Sequence, residues 1–233
     1  MKLPRKTSVL LLWIGLPLLV LVVAFGGGLI FRGEYATEQT AQRSFTIDED
    51  FTKVRKIMVR TDAAKQIVTM GGDSKFVQQQ WTEGSVGLAG KTVAEALLKN
   101  VLSNHPDWEI ELHGALTIQS LDPYIGQPIV KLQQDVHIDP DEIRSEVQLK
   151  EGARRLLGYA MTTRLWRDAN NGGRTRVELK LRQKILTDAP WFAHGIADRR
   201  VQASAEAALA NQEQALRRLI QENADKAGLF PLR

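Results

Sequence analysis

The chain of 233 residues contains no cysteine, so it has no disulfides and no thiolate metal ligands. A domain exposed to an oxidising compartment without disulfides has to rely on its apolar core. Charge of one sign is also scarce. Lys+Arg number 31 and Asp+Glu 27, a net of +4. Lys2, Arg5 and Lys6 lie before residue 31 and no acid does, which leaves 28 basic against 27 acidic side chains in the remainder. The pI near 9.4 therefore reflects the N-terminal flank more than a basic surface. Nucleic-acid binding needs a clustered basic face, and none is expected here.

Motifs of chemistry are missing too. His105, His113, His137 and His194 are not spaced as a metal pair on one element. No G-x-S-x-G occurs, so a hydrolase elbow has no support. Gly90-Lys91-Thr92 has the end of a phosphate loop, but Ser85 stands where the first glycine belongs. Asp139, Asp141 and Glu142 surround Pro140, a composition that favours a turn over an acid–base pair. There is no internal repeat. No cofactor, metal or catalytic set is expected.

What the chain does have is one long apolar run, Ser8 to Phe31, without a charge inside it. About 20 apolar residues cross the hydrocarbon core of a bilayer. Lys2, Arg5 and Lys6 precede the run, and basic flanks stay cytoplasmic. The expected topology is a single-pass cell-membrane anchor over 8–31, with residues 1–7 cytoplasmic and the rest extracytoplasmic. A cleaved signal peptide is the alternative; its apolar core is usually only about 7–15 residues.

Beyond the run, residues 32–43 read as a polar stalk, 44–225 as one domain and 226–233 as a tail. Ser44 to Ile47 reads as a first strand. Asp48 is the expected cap of a helix bearing Phe51, Val54, Ile57 and Met58, broken at Gly71 and Gly72. Lys75 to Trp81 is ambiguous, and Gly84, Gly87 and Gly90 suggest a loop. Thr92 to Leu102 reads as a second helix. The hydrophobic period then changes from about 3.6 to 2. Alternation is evident around residues 108–119, 130–138, 143–150, 157–165 and 177–185, with Leu157, Tyr159, Met161 and Leu165 on one face and a hairpin turn at Asn170 to Gly173. These strands predict an antiparallel sheet with one wet face. Ile196 to Asn223 reads as a long helix with Val201, Ala205, Ala208, Leu209, Leu216, Leu219 and Ile220 as its apolar stripe.

The order of strand, two helices, antiparallel strands and a long last helix (AEAALANQEQALRRLI) resembles the helix-grip fold of the START and Bet v 1-like superfamily, SRPBCC. The opening IDEDFTKVRKI is similar to that family's strand-to-helix start, with Phe51 and Val54 as its apolar pair. The resemblance implies an α+β fold: about six antiparallel strands wrapped on the C-terminal helix, enclosing a hydrophobic cavity.

On the alternating strands, Gln134, Ser145, Tyr159, Thr163 and Gln183 fall among the inward aliphatics. Buried polar groups require partners, and ligand pockets combine apolar walls with a few placed polar groups. With Met161 and Leu209 these residues form the candidate cavity lining; the alternative is a filled core whose polar groups satisfy one another. The leading expectation is a membrane-anchored, exported domain that binds or sequesters a lipid or apolar small molecule without covalent chemistry. The second is an envelope interaction module with a filled core, its Arg/Lys comb at 176–184 meeting a partner. The third is a cyclase- or hydrolase-like enzyme using Tyr159 or His113.

Overall fold

The computed structural model describes residues 33–60, 63–86, 109–122, 125–126, 128–153 and 155–225. The apolar run 8–31, the second helix expected over 92–102, His105 and the tail all lie outside these residues. Among the described residues, no helix is long and apolar enough to cross a membrane.

Seven strands form one antiparallel sheet: β1 (Glu34–Ile47), β2 (Ser74–Val86), β3 (Ile110–Ser120), β4 (Ile129–Ile138), β5 (Glu142–Glu151), β6 (Leu156–Arg167) and β7 (Thr175–Asp188). Their spatial order is β1-β7-β6-β5-β4-β3-β2. Helices α1 (Phe51–Arg60) and α2 (Ala63–Gly71) connect the two edge strands. A short 3-10 turn (Trp191–Ala193) leads into α3 (His194–Ala224).

The sheet curls around α3, as the cross-links from both of its edges show. On the β1 side, Thr37 Oγ1 donates to Asp198 at 2.6 Å, and Arg43 pairs with Glu213. On the β2–β3 side, Asn211 Nδ2 donates to both Asp73 oxygens at 2.8 Å, and Ser204 Oγ donates to Asp122 at 2.6 Å. One helix gripped by both edges of a single antiparallel sheet is the helix-grip arrangement. Val201, Ala205, Leu209, Leu216, Leu219 and Ile220 are buried along α3, as its stripe predicts. Ala205 is fully buried, and its small side chain lets the helix axis lie close to the strands.

Several expectations need correction. The sheet has seven strands, not six. The stalk expected over 32–43 is, from Glu34 onward, the first two-thirds of β1, which pairs with β7 along its whole length. Its inward residues include Thr37, Gln39 and Ala41, which are small or polar and give no hydrophobic alternation. Asp50, not Asp48, caps α1: its carboxylate accepts from Thr52 N at 2.8 Å, while Asp48 pairs with Arg174. The ambiguous Lys75–Trp81 segment is strand, and it runs on through Gly84 to Val86. Irregularities at Phe76/Gln78 and Trp81/Glu83 disturb its period. A similar irregularity at Leu156/Gly158 reverses the start of β6. Leu156 is therefore buried, and Leu157, expected on the inner face, is turned outward.

Candidate functional site

The concave face of the sheet does not close completely on the helices. Between β2–β7, α2 and α3 lies a cavity of about 570 Å³, a size suited to a small organic ligand. Its walls are mainly aliphatic: Leu116, Val130 and Leu132 from the sheet, Ile67 from α2 and Leu216 from α3 are representative. They arrive there because alternation places every second strand residue inward. Ala207 and Ala208 face the space from α3, where larger side chains would fill it.

Six of the seven residues singled out from the sequence lie in this wall: Gln134, Ser145, Tyr159, Met161, Thr163 and Gln183. Leu209 does not. It is fully buried in the packed cluster between α3 and the sheet, while its neighbour Ala208 meets the cavity. The filled interior expected of an interaction module is thus not what the described residues form.

The polar groups in the wall are only partly matched. Gln79 Nε2 donates to Gln134 Oε1 at 2.8 Å, and Gln134 Nε2 reaches Ser145 Oγ at 3.5 Å. Gln183 Nε2 donates to the Val201 carbonyl at 3.0 Å, tying β7 to α3. Its own carbonyl oxygen and the Thr163 hydroxyl have no hydrogen-bond partner among the described residues. Among the described residues, the Tyr159 hydroxyl meets only the Met161 sulfur, at 3.5 Å, a weak acceptor. Burial, with the nearby Asp73 charge adding to it, pushes the Tyr159 phenol up to about 12. Tyr159 is therefore a neutral hydrogen-bond donor at ordinary pH, not a base.

Two carboxylates stand at the strand ends beside the cavity. Partial burial raises the Asp73 pKa. The Asn211 hydrogen bonds oppose that rise, and the charge of Asp122 adds to it. Sequence reasoning passed over Asp73, Gln79 and Asp122. Asp73 follows a glycine pair that reads as a simple break, and Gln79 sits on the strand whose period is disturbed. Only the wrapping of the sheet brings all three to one space.

The other candidates lie elsewhere. His113 is on the outer sheet face, its Nδ1 2.8 Å from Asp135, and does not enter the cavity. This corrects its candidacy as an interior acid–base group: alternation puts it opposite Leu112. His137 lies on the same outer face, near Glu109, Glu111 and Asp139. Asp139 builds the expected turn by accepting from Asp141 N at 2.8 Å and Glu142 N at 2.5 Å. In the comb, Arg176 pairs with Asp168, and Arg182 lies 3.8 Å from Glu38.

No known protein-family pattern matches the sequence. No curated protein matches it either. Among solved structures, the chain is similar to an aromatase/cyclase from Streptomyces sp. R1128, at 9% identity and a TM-score of 0.48, covering 81% of this chain and 96% of that one. It is similar to a protein of unknown function from Staphylococcus aureus, at 5% identity and a TM-score of 0.49, covering 82% and 98%. It is also similar to a norcoclaurine synthase from Thalictrum flavum, at 10% identity and a TM-score of 0.45, covering 82% and 98%. The chain's own strand order and gripped helix give it the helix-grip fold.

Proposed function

We propose that the domain binds and sequesters an apolar small molecule or lipid in its cavity, without covalent chemistry, while tethered to a membrane by residues 8–31. The observation that carries this reading is the lining: aliphatic walls around a 570 Å³ space, with Gln183 Oε1, Thr163 Oγ1 and Tyr159 OH facing it largely unmatched. Unmatched polar groups in an apolar enclosure are costly unless the contents supply partners. A ligand with an apolar body and one polar group meets both requirements. The anchor draws its support from the length and flanks of the apolar run, and a cavity held beside a bilayer has lipid as its nearest abundant ligand.

The reading is tested with the full chain in nanodiscs and an environment-sensitive fatty-acid probe. Probe fluorescence should rise saturably at one site per chain. Ala208→Trp, which fills the space from α3, should abolish that rise while leaving the circular dichroism spectrum unchanged. Equal probe binding by the filled variant would place the probe elsewhere and contradict the reading.

A further inference from the structure

The described residues expose seven large hydrophobic side chains, and five of them lie at one end of the sheet: Ile129, Leu157, Trp191, Phe192 and Ile196. That end is defined by register. Glu34 pairs with Asp188, Leu156 with Ile185, Gln119 with Ile129, and Ser74 with Ser120. Trp191, 73% exposed, is the most open of the five.

The chain enters the domain at the same place. A Cβ placed on Gly33 would lie 3.3 Å from the Ala189 carbonyl and 3.8 Å from Pro190 Cα. The start of α3 is fixed there, because Tyr35 stacks on His194 with ring centroids 3.7 Å apart and Thr37 bonds Asp198. The apolar run ends at Phe31, two residues before Gly33 in the sequence. β1 begins at Glu34, three residues in sequence after the end of that run.

Charge at this end matches the apolar patch. Ile196, Arg199 and Arg200 share one face of α3 by their spacing of three and four. Arg199 and Arg200 are exposed and have no acidic partner among the described residues. The acids at this sheet end are mostly occupied: Asp188 by Arg155, Glu151 by Lys131, Asp198 by Thr37 and Tyr35, Asp122 by Ser204 and Asp73 by Asn211. Glu34 is the exposed exception.

We infer that this end of the domain docks on an anionic bilayer surface, with Trp191, Phe192 and Ile196 in the headgroup layer and Arg199 and Arg200 on lipid phosphates. Indole rings favour that layer, and cations on the flanking helix face are drawn to anionic lipid. The inference rests on the membrane anchor of the proposed function, though not on the cavity having a ligand.

The absence of cysteine makes the test clean. The full chain is labelled with a nitrobenzoxadiazole dye at Gly195→Cys, beside the patch, or at Gly172→Cys in the β6–β7 hairpin at the opposite end. A Cβ at either glycine meets nothing within 4 Å. The chains are reconstituted into phosphatidylcholine vesicles with or without phosphatidylglycerol, and floated. Docking predicts severalfold stronger quenching by doxyl-labelled lipid at 195 than at 172. The difference should be lost in the double variant Trp191→Ser/Phe192→Ser and weakened severalfold by Arg199→Glu/Arg200→Glu in the anionic vesicles. Chains that float but show equal quenching at both positions overturn the docking and leave the anchor standing. Chains that do not float overturn the anchor itself. Shielding of the 195 label that is equally strong in detergent, without a bilayer, assigns the patch to a protein contact and also overturns the inference.

Discussion

Ala208 and Leu209 are adjacent on α3 and have opposite surroundings. Leu209 is packed on all sides, so Leu209→Ala should cost about 2–5 kcal/mol in urea-induced unfolding. Because the side chain is not part of the cavity wall, probe affinity should be nearly unchanged at concentrations of urea where the variant is folded. The sequence shows both residues on one apolar stripe. It cannot show which stripe residue meets packed atoms and which meets space, because that depends on how far the sheet curls. The inward phase of Gln134, Ser145, Tyr159, Thr163 and Gln183 was legible, since alternation alone determines it. Glu213 gives a residue-scale test of electrostatics. Burial by itself would raise its carboxyl, but hydrogen bonds from Arg43 and Arg217 outweigh that and hold its pKa below the ordinary glutamate value. A depressed carboxyl stabilises the fold above its unfolded pKa, about 4.3, and loses that contribution as pH falls through the lower folded value. Glu213→Gln should therefore be less stable than the parent at neutral pH, by no more than about 1 kcal/mol because both arginines are nearly half exposed. The gap should close below about pH 4, as read from urea midpoints across pH.

At the scale of elements, the strands with strong alternation were legible and those without it were not. β3, β4, β5 and β7 carry aliphatic residues at most of their inward positions, interrupted only by Gly114, Gln134, Ser145, Gln183 and strand-end residues, and a sheet with one wet face follows. β1 turns Thr37, Gln39 and Ala41 inward, so its pairing with β7 left little mark on the composition. β2 is disturbed twice by irregular pairing, and β6 once, which is why Leu157 was assigned to the wrong face. Gly114 marks a constraint that the hydrophobic pattern also missed. A Cβ there would sit 2.6 Å from the Gln80 carbonyl and 2.7 Å from the Trp81 ring. Gly114→Ala should therefore force β2 away from β3 at a cost of about 1–3 kcal/mol. Hydrogen exchange should show the loss concentrated in β2 and β3, with the β1–β7 pair still protected; a uniform loss would contradict this local account.

For the whole molecule, the element order was sufficient to expect a sheet gripping the last helix. The enclosed space was expected only from the resemblance, because no single residue encodes a cavity. Two small side chains of α3, Ala207 and Ala208, face it across from the aliphatic strand residues. Native mass spectrometry of the full chain, ejected from nanodiscs made with the membranes that produced it, tests the central claim most directly. The account predicts one copurified apolar molecule per chain, retained by the parent and absent from Ala208→Trp at matched folding. A parent chain that flies as bare polypeptide, with the same mass balance as the filled variant, would contradict it.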